Sequence, residues 1–343
     1  MLYALQIPDP PDFLARLFSL FFVLAQTERR PSADQARTAG NPGATMNLTQ
    51  LVILGLKASI ALIVMGLFLK SKPGDLTSLL RRPSLLGRSL LSMNVIMPLV
   101  AAVIVSVMGL RPPVRIALIA LMVSPVPPFL PRRQLKAGGA QPYTYGLMVV
   151  EALLSIVLVP LSVLLLGTFV RLEAPVSWSV IARIVLVTIL LPLATGLVIR
   201  QLAPAFAARI EPVVSRVGLL LLILGIFPIL FFAGRYVVLL LGNGTLIAMV
   251  IVALLGLVVG HVLGGPTSSD RTVLGLATSA RHPGVAMAIA SSTFPDQKLV
   301  PAAILLYLLV SALVGIPYLK WIELRNRPTD SAAPVAPRRD KAA

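Results

Sequence analysis

From Met46 onward the chain alternates long apolar runs with short polar gaps. Nine runs, at roughly 48–69, 87–109, 113–136, 141–170, 177–200, 213–234, 236–263, 271–294 and 299–321, each approach or exceed the ~20 helical residues that cross a bilayer. Two runs are interrupted. SPVPPFLPRR (124–133) carries Pro125, Pro127, Pro128 and Pro131, and TSARHPGVAMAIA (278–290) carries Pro283-Gly284. Proline lacks an N–H and clashes with the carbonyl four residues back, so neither run continues as one helix. Each broken run is next to last in its half of the chain. Matching breaks in two halves are the pointer to inverted repeats. The pattern therefore predicts an all-α integral membrane fold of nine to ten transmembrane helices. It forms two inverted repeats of about five helices, each with one broken helix.

The domain expected is a membrane unit over 46–322, with repeats at about 46–171 and 176–322, followed by a disordered cytoplasmic tail at 323–343. Residues 1–45 contain FLARLFSLFFVLAQ (13–26), apolar but short, with Arg16 inside it. Three readings stand side by side: a tenth, short helix; a signal-like apolar stretch; or an extension upstream of a start at Met46.

Composition narrows the class. Hydrophobic residues make up 57% of the 343 and charged residues 13%, with mean hydropathy +0.91. A soluble domain holds about 25% charged residues. The net charge of +17 does not point to nucleic acid, because the basic residues sit between the apolar runs. With the gap at 70–88 inside, 18 Lys and Arg fall on the cytoplasmic side, six of them in the tail, and 6 on the outer side. The outer ones are Arg111, Arg115, Arg171, Arg183, Arg235 and Lys298. This bias places the chain in the cell (inner) membrane, multi-pass, with the C-terminus cytoplasmic. There are no cysteines and only two histidines, so neither thiolate chemistry nor a histidine metal centre is expected, and no cofactor. HExxH, paired carboxylates and nucleophile–base sets are missing, which argues against an enzyme.

Ionisable residues inside spans are costly and usually functional. Lys57, Glu151, Arg281 and His282 are the ones that lie well inside the runs here. Glu151 is the only acid in any run, and Arg281 is its expected partner, either as a structural lock or as a pair lining the transport path. Lys57, with a long stem that can reach an interface, is the weakest candidate. Unwinding at 279–284 frees backbone groups beside Ser279, Arg281, His282, Pro283 and Gly284, and Pro125 marks the facing break. Arg132, Arg133 and Lys136 read as cytoplasmic anchors.

Several stretches together resemble the bile acid:sodium symporter (BASS) family. MGLFLKSKPGDL (65–76) is similar to its Met-Gly-x-x-Leu-Lys segment, and LLSMNVIMPLVAA (90–102) to its Ile-Met-Pro helix. The third and fourth runs align without gaps to its first crossing region, ending at Leu153-Leu154-Ser155 and Pro160. ATSARHPGVAMAIA (277–290) stands where the family has Glu-x-Gly-x-Gln-Asn-x-Gly-Leu-Ala. The likeness covers about 48–321. It implies a crossing of the kind found in sodium–proton antiporters, a core domain that moves against a panel domain, and sodium-coupled transport of organic anions. It also implies sodium-holding oxygen ligands at positions that are Leu130, Pro131, Ala277, Arg281 and Met148 here; only Thr144 keeps a hydroxyl. Na⁺ needs oxygens that these side chains lack, so sodium coupling is doubtful.

The function expected is therefore a secondary transporter of a small organic anion by alternating access. Candidate substrate or coupling-ion residues are Glu151, Arg281, His282, Pro283, Gly284, Thr144, Ser279 and Pro125. The coupling ion is H⁺ or Na⁺, or there is none. The alternative is an uncoupled facilitator, or a channel-like or regulatory membrane protein on the same scaffold. The lipid bilayer is a partner; oligomeric state is left open.

Overall fold

A computed structural model describes residues 48–72, 74–170, 178–294 and 296–325, and these contain helices and no strand. The readings of 1–45, and of the tail beyond 325, lie outside the described residues. In chain order the helices are α1 (Leu48–Leu69), α2 (Pro83–Val107), α3 (Pro112–Met122), α4 (Leu130–Lys136), α5 (Gln141–Val170), α6 (178–202), α7 (Pro204–Leu240), α8 (Thr245–Leu263), α9 (Ser268–Ser279), α10 (Pro283–Thr293) and α11 (Val300–Arg325).

Six of them (α2, α5, α6, α7, α8 and α11) are long and apolar enough to cross a membrane, and α1 adds a 22-residue apolar helix. The remaining described helices are the two broken pairs α3–α4 and α9–α10. Large apolar side chains lie exposed along the outside, Val107 at 75%, Leu164 at 71% and Val262 at 68% among them. Such a belt would be untenable in water and belongs against lipid.

Two boundaries differ from the sequence expectation. The sixth run was placed at 213–234, but α7 begins at Pro204 and continues to Leu240. Arg235 is therefore helical rather than in a gap. The chain turns only at Leu241–Gly244, where Gly242, Asn243 and Gly244 all adopt positive φ. Gly and Asn tolerate that conformation at little cost. The apolar run across 236–241 masked a Gly-Asn-Gly turn.

α1 packs chiefly on α6 and α7. These three form one layer, with Leu62, Met65, Leu69, Ala207, Ile210 and Val214 in a small core of their own. The main core binds α2, α3, α5, α8, α10 and α11 together, and it extends to residues of α1 and α6. α8 and α9 approach so closely that α8 carries Gly256, Gly260 and Gly264 along the contact. A Cβ on Gly256 would lie 2.8 Å from Ser279 Cα, and one on Gly264 would meet Arg271. Small residues at every fourth position let membrane helices meet backbone to backbone.

Candidate functional site at the helix crossing

The two breaks meet. α3 ends at Met122, and prolines at 125, 127 and 128 withhold the N–H groups that would continue the ladder. α9 ends at Ser279 with Ala280 extended, and α10 starts at Pro283. Between them the His282 backbone N–H donates to Pro125 O at 2.9 Å. Gln134 of α4 adds a second tie, Nε2 to Val273 O of α9 at 2.8 Å.

Arg281 fills the centre. Its side chain is the largest fully buried one described, at 0% exposure. Nη1 donates to Ser124 O at 3.2 Å and Nη2 to Met93 O at 3.0 Å. Both carbonyls are free because prolines made them so. In a continuous helix Ser124 O would accept from residue 128, which is Pro128. In α2 a π turn over Leu91–Ile96 sends the Met97 N–H to Ser92 O instead of Met93 O. The next donor in line would be Pro98, which has none. The guanidinium thus satisfies two carbonyls that the backbone cannot, one just past the C-terminal, partially negative end of α3. Arg281 Nε has no hydrogen-bond partner.

His282 caps α10. Its Nδ1 accepts from Gly284 N at 3.1 Å and Val285 N at 3.3 Å. A ring nitrogen that accepts carries no proton, so this pattern assigns the imidazole proton to Nε2. Nε2 is buried and without a partner. Pro283 takes the first helical position, where its missing N–H costs nothing. Ser279 is buried at the end of α9, and its carbonyl accepts from Tyr307 Oη of α11 at 2.8 Å.

The direct Glu151–Arg281 bridge expected from the sequence is not formed. Glu151, 1% exposed on α5, accepts instead from Asn94 Nδ2 at 2.8 Å. Arg281 and Glu151 thus bind consecutive residues of the α2 π turn, Met93 and Asn94. Each charge finds a nearer partner on α2 than on the other, though the two remain within electrostatic reach. The same turn supplies a third tie, Ser92 Oγ to Thr278 Oγ1 at 2.7 Å.

Seven of the eight predicted residues (Pro125, Ser279, Arg281, His282, Pro283, Gly284 and, through Asn94, Glu151) are brought together. Thr144 is not linked to them: it stands seven residues before Glu151 with its buried Oγ1 unpartnered. Lys57 lies on α1, in the other layer. Sequence reasoning missed Met93, Asn94, Ser124 and Tyr307. The signal was present for two of them: a polar Asn94 inside an apolar run, followed four residues later by Pro98. At the positions where the resemblance implies oxygen ligands, Leu130, Met148 and Ala277 are buried apolar side chains.

The described residues thus form a helical multi-pass membrane protein with two broken helices bonded to each other where they unwind. The family model of the Sodium Bile acid symporter family matches residues 58–240, more than half of the chain, and the chain belongs to that family. The matched range takes in the first break and stops before the second. No curated protein matches the chain.

Proposed function

We propose that the chain is a secondary transporter of a small organic anion that works without sodium, with Arg281 as a built-in cation and Glu151 as the site of a coupling proton. The observation that carries this reading is the buried guanidinium of Arg281, which hydrogen-bonds to two carbonyls and to no carboxylate. A buried charge is normally paired, and a guanidinium held by two neutral carbonyls keeps its positive charge available to an anion. Arg281 Nε–H and His282 Nε2–H have no partner at all, and these are the groups a carboxylate or sulfate would take.

The family name couples organic anions to sodium. A bare sodium ion at this crossing would compete with a tethered cation for Ser124 O and Met93 O, and the surrounding Leu130, Met148 and Ala277 offer no oxygen in compensation. Glu151 is the acid that stands beside the cation, through Asn94 of the same π turn, so it is the natural proton carrier. The membrane unit is 46–322, built as two inverted repeats. The layer of α1, α6 and α7 moves against the rest, so that the crossing opens to each side in turn. The C-terminus faces the cytoplasm of the cell (inner) membrane.

Reconstitution into liposomes tests this. Uptake of a panel of carboxylates and sulfated anions is measured under a sodium gradient, a pH gradient, and neither. Accumulation under the pH gradient alone is expected, unchanged when potassium replaces sodium. Accumulation that demands sodium sinks the reading. Downhill flux alone under all three conditions makes the protein a facilitator.

A further inference from the structure

The turn between α8 and α9 gathers cations that transport leaves unused. Gly265 stands there with φ +93°, and its carbonyl accepts from Arg271 Nε at 2.6 Å. The Arg88 guanidinium lies against the same glycine: a Cβ there would be 3.6 Å from Nη1. Arg88 is otherwise held only by its own helix, Nε to Ser84 O at 3.1 Å and Nη2 to Ser84 Oγ at 3.4 Å. Two guanidinia therefore flank one turn. Among the described residues neither forms an ion pair, because the neighbouring acid, Asp270, is taken by Arg82 at 2.6 Å.

The surroundings add charge and an interface. Tyr318 Oη of α11 donates to Arg271 O at 3.3 Å and meets His261 Nδ1 at 2.9 Å. His261 lies 5.1 Å from the Trp321 ring, and Arg325 sits over that ring at 5.4 Å. Glu323 is two residues from both Trp321 and Arg325, on the opposite face of α11. The exposed apolar stripe of α8 runs through Val258 and ends beside the turn at Val262. A tryptophan next to arginines at the end of a lipid-facing stripe marks headgroup depth.

We propose that this turn binds the phosphate of an anionic phospholipid, held between Arg88 and Arg271, with its acyl chains along the α8 stripe. Guanidinia match phosphate oxygens in pairs, and an occupant at this depth that also covers Val258 and Val262 must carry hydrocarbon. The bound lipid relieves the repulsion between the two arginines and fastens α2 to the α8–α9 pair behind the crossing.

Native mass spectrometry of the full chain in detergent tests this with dioleoyl phosphatidylglycerol against dioleoyl phosphatidylcholine. A basic residue at the surface is worth about fivefold in binding an anionic lipid. Phosphatidylglycerol is therefore expected to be retained well above phosphatidylcholine. R88Q should weaken retention about fivefold, and R88Q/R271Q should bring it down to the phosphatidylcholine level. Arg88 hydrogen-bonds only within its own helix, to Ser84, so R88Q keeps the fold and the test survives if the double variant does not fold. Equal retention of the two lipids, or undiminished retention in R88Q, overturns the proposal. Full displacement by millimolar inorganic phosphate also overturns it, since the ligand would then be a soluble anion.

Discussion

At the scale of single residues the proposed transport rests on Arg281, Glu151 and His282. Arg281→Gln keeps a donor but loses the charge and the fork. A hydrogen bond to a charged group is worth about 1.5–3 kcal/mol, so the KM for the transported anion should rise about ten- to hundredfold. Uptake kinetics check this, and gel filtration shows whether the variant still folds. Arg281→Lys, a point charge without the planar fork, should fall between the two. Glu151→Gln preserves the acceptor for Asn94 but cannot exchange a proton. It should abolish accumulation driven by a pH gradient while leaving anion exchange across the membrane intact; retention of gradient-driven accumulation would remove Glu151 from coupling. His282 is separable from both, because its Nδ1 acts as a helix cap. His282→Ala should cost about 1 kcal/mol of stability, read as a lowered midpoint of thermal unfolding. His282→Asn, whose side-chain oxygen can accept from the same amides, should restore most of it.

At the scale of elements, prolines decide where carbonyls are left open, and glycines decide how near helices come. Pro98→Ala returns an N–H to α2 just where the π turn closes. The helix can then recover ordinary register, which rotates Asn94 away from Glu151 and draws Met93 O back into the ladder. Stability should stay level or rise while transport falls severalfold, a split that uptake and thermal unfolding together resolve. Gly260→Ala tests the α8–α9 contact. Its Cβ would lie 2.7 Å from Gly275 Cα, a backbone atom that cannot swing aside. Overpacking of this kind costs about 1–3 kcal/mol. These elements also show what the sequence makes legible. Pro125, Pro127, Pro128 and Pro283 announce both breaks, since a missing donor is a property of the residue itself. The partner of Arg281 was not legible: the acid that the sequence offers inside an apolar run is Glu151, yet a carbonyl released by Pro98 lies closer in space. The spacing of Gly256, Gly260 and Gly264 was equally plain in the sequence, but only the meeting of α8 with α9 gives it meaning. The reach of α7 to Leu240 stayed hidden because apolar composition runs on through the turn that ends it.

At the scale of the whole molecule, two layers must slide if the crossing is to open to both sides. The layer of α1, α6 and α7 touches the crossing helices at few polar points. Arg132 of α4 donates Nη2 to Ser215 O of α7 at 3.4 Å. At the other end of the molecule Arg111, at the head of α3, donates to Leu239 O of α7. Both contacts join a broken helix to the same long helix, one beside the positive-rich ends and one at the opposite face. Neither is an ion pair, and one hydrogen bond to a charged group is worth about 1.5–3 kcal/mol, so either can break within a transport cycle. A covalent tie across the first should stop the cycle. The chain has no cysteine, so Arg132→Cys with Ser215→Cys introduces the only two thiols. Bridging them with a short bis-maleimide that contains a reducible disulfide should abolish anion exchange, and reduction should restore it. Each single-cysteine variant, treated alike, should keep its transport. Unimpeded exchange in the bridged protein would mean that α4 and α7 move as one body, and the two-layer division would have to be redrawn with α7 on the side of the crossing.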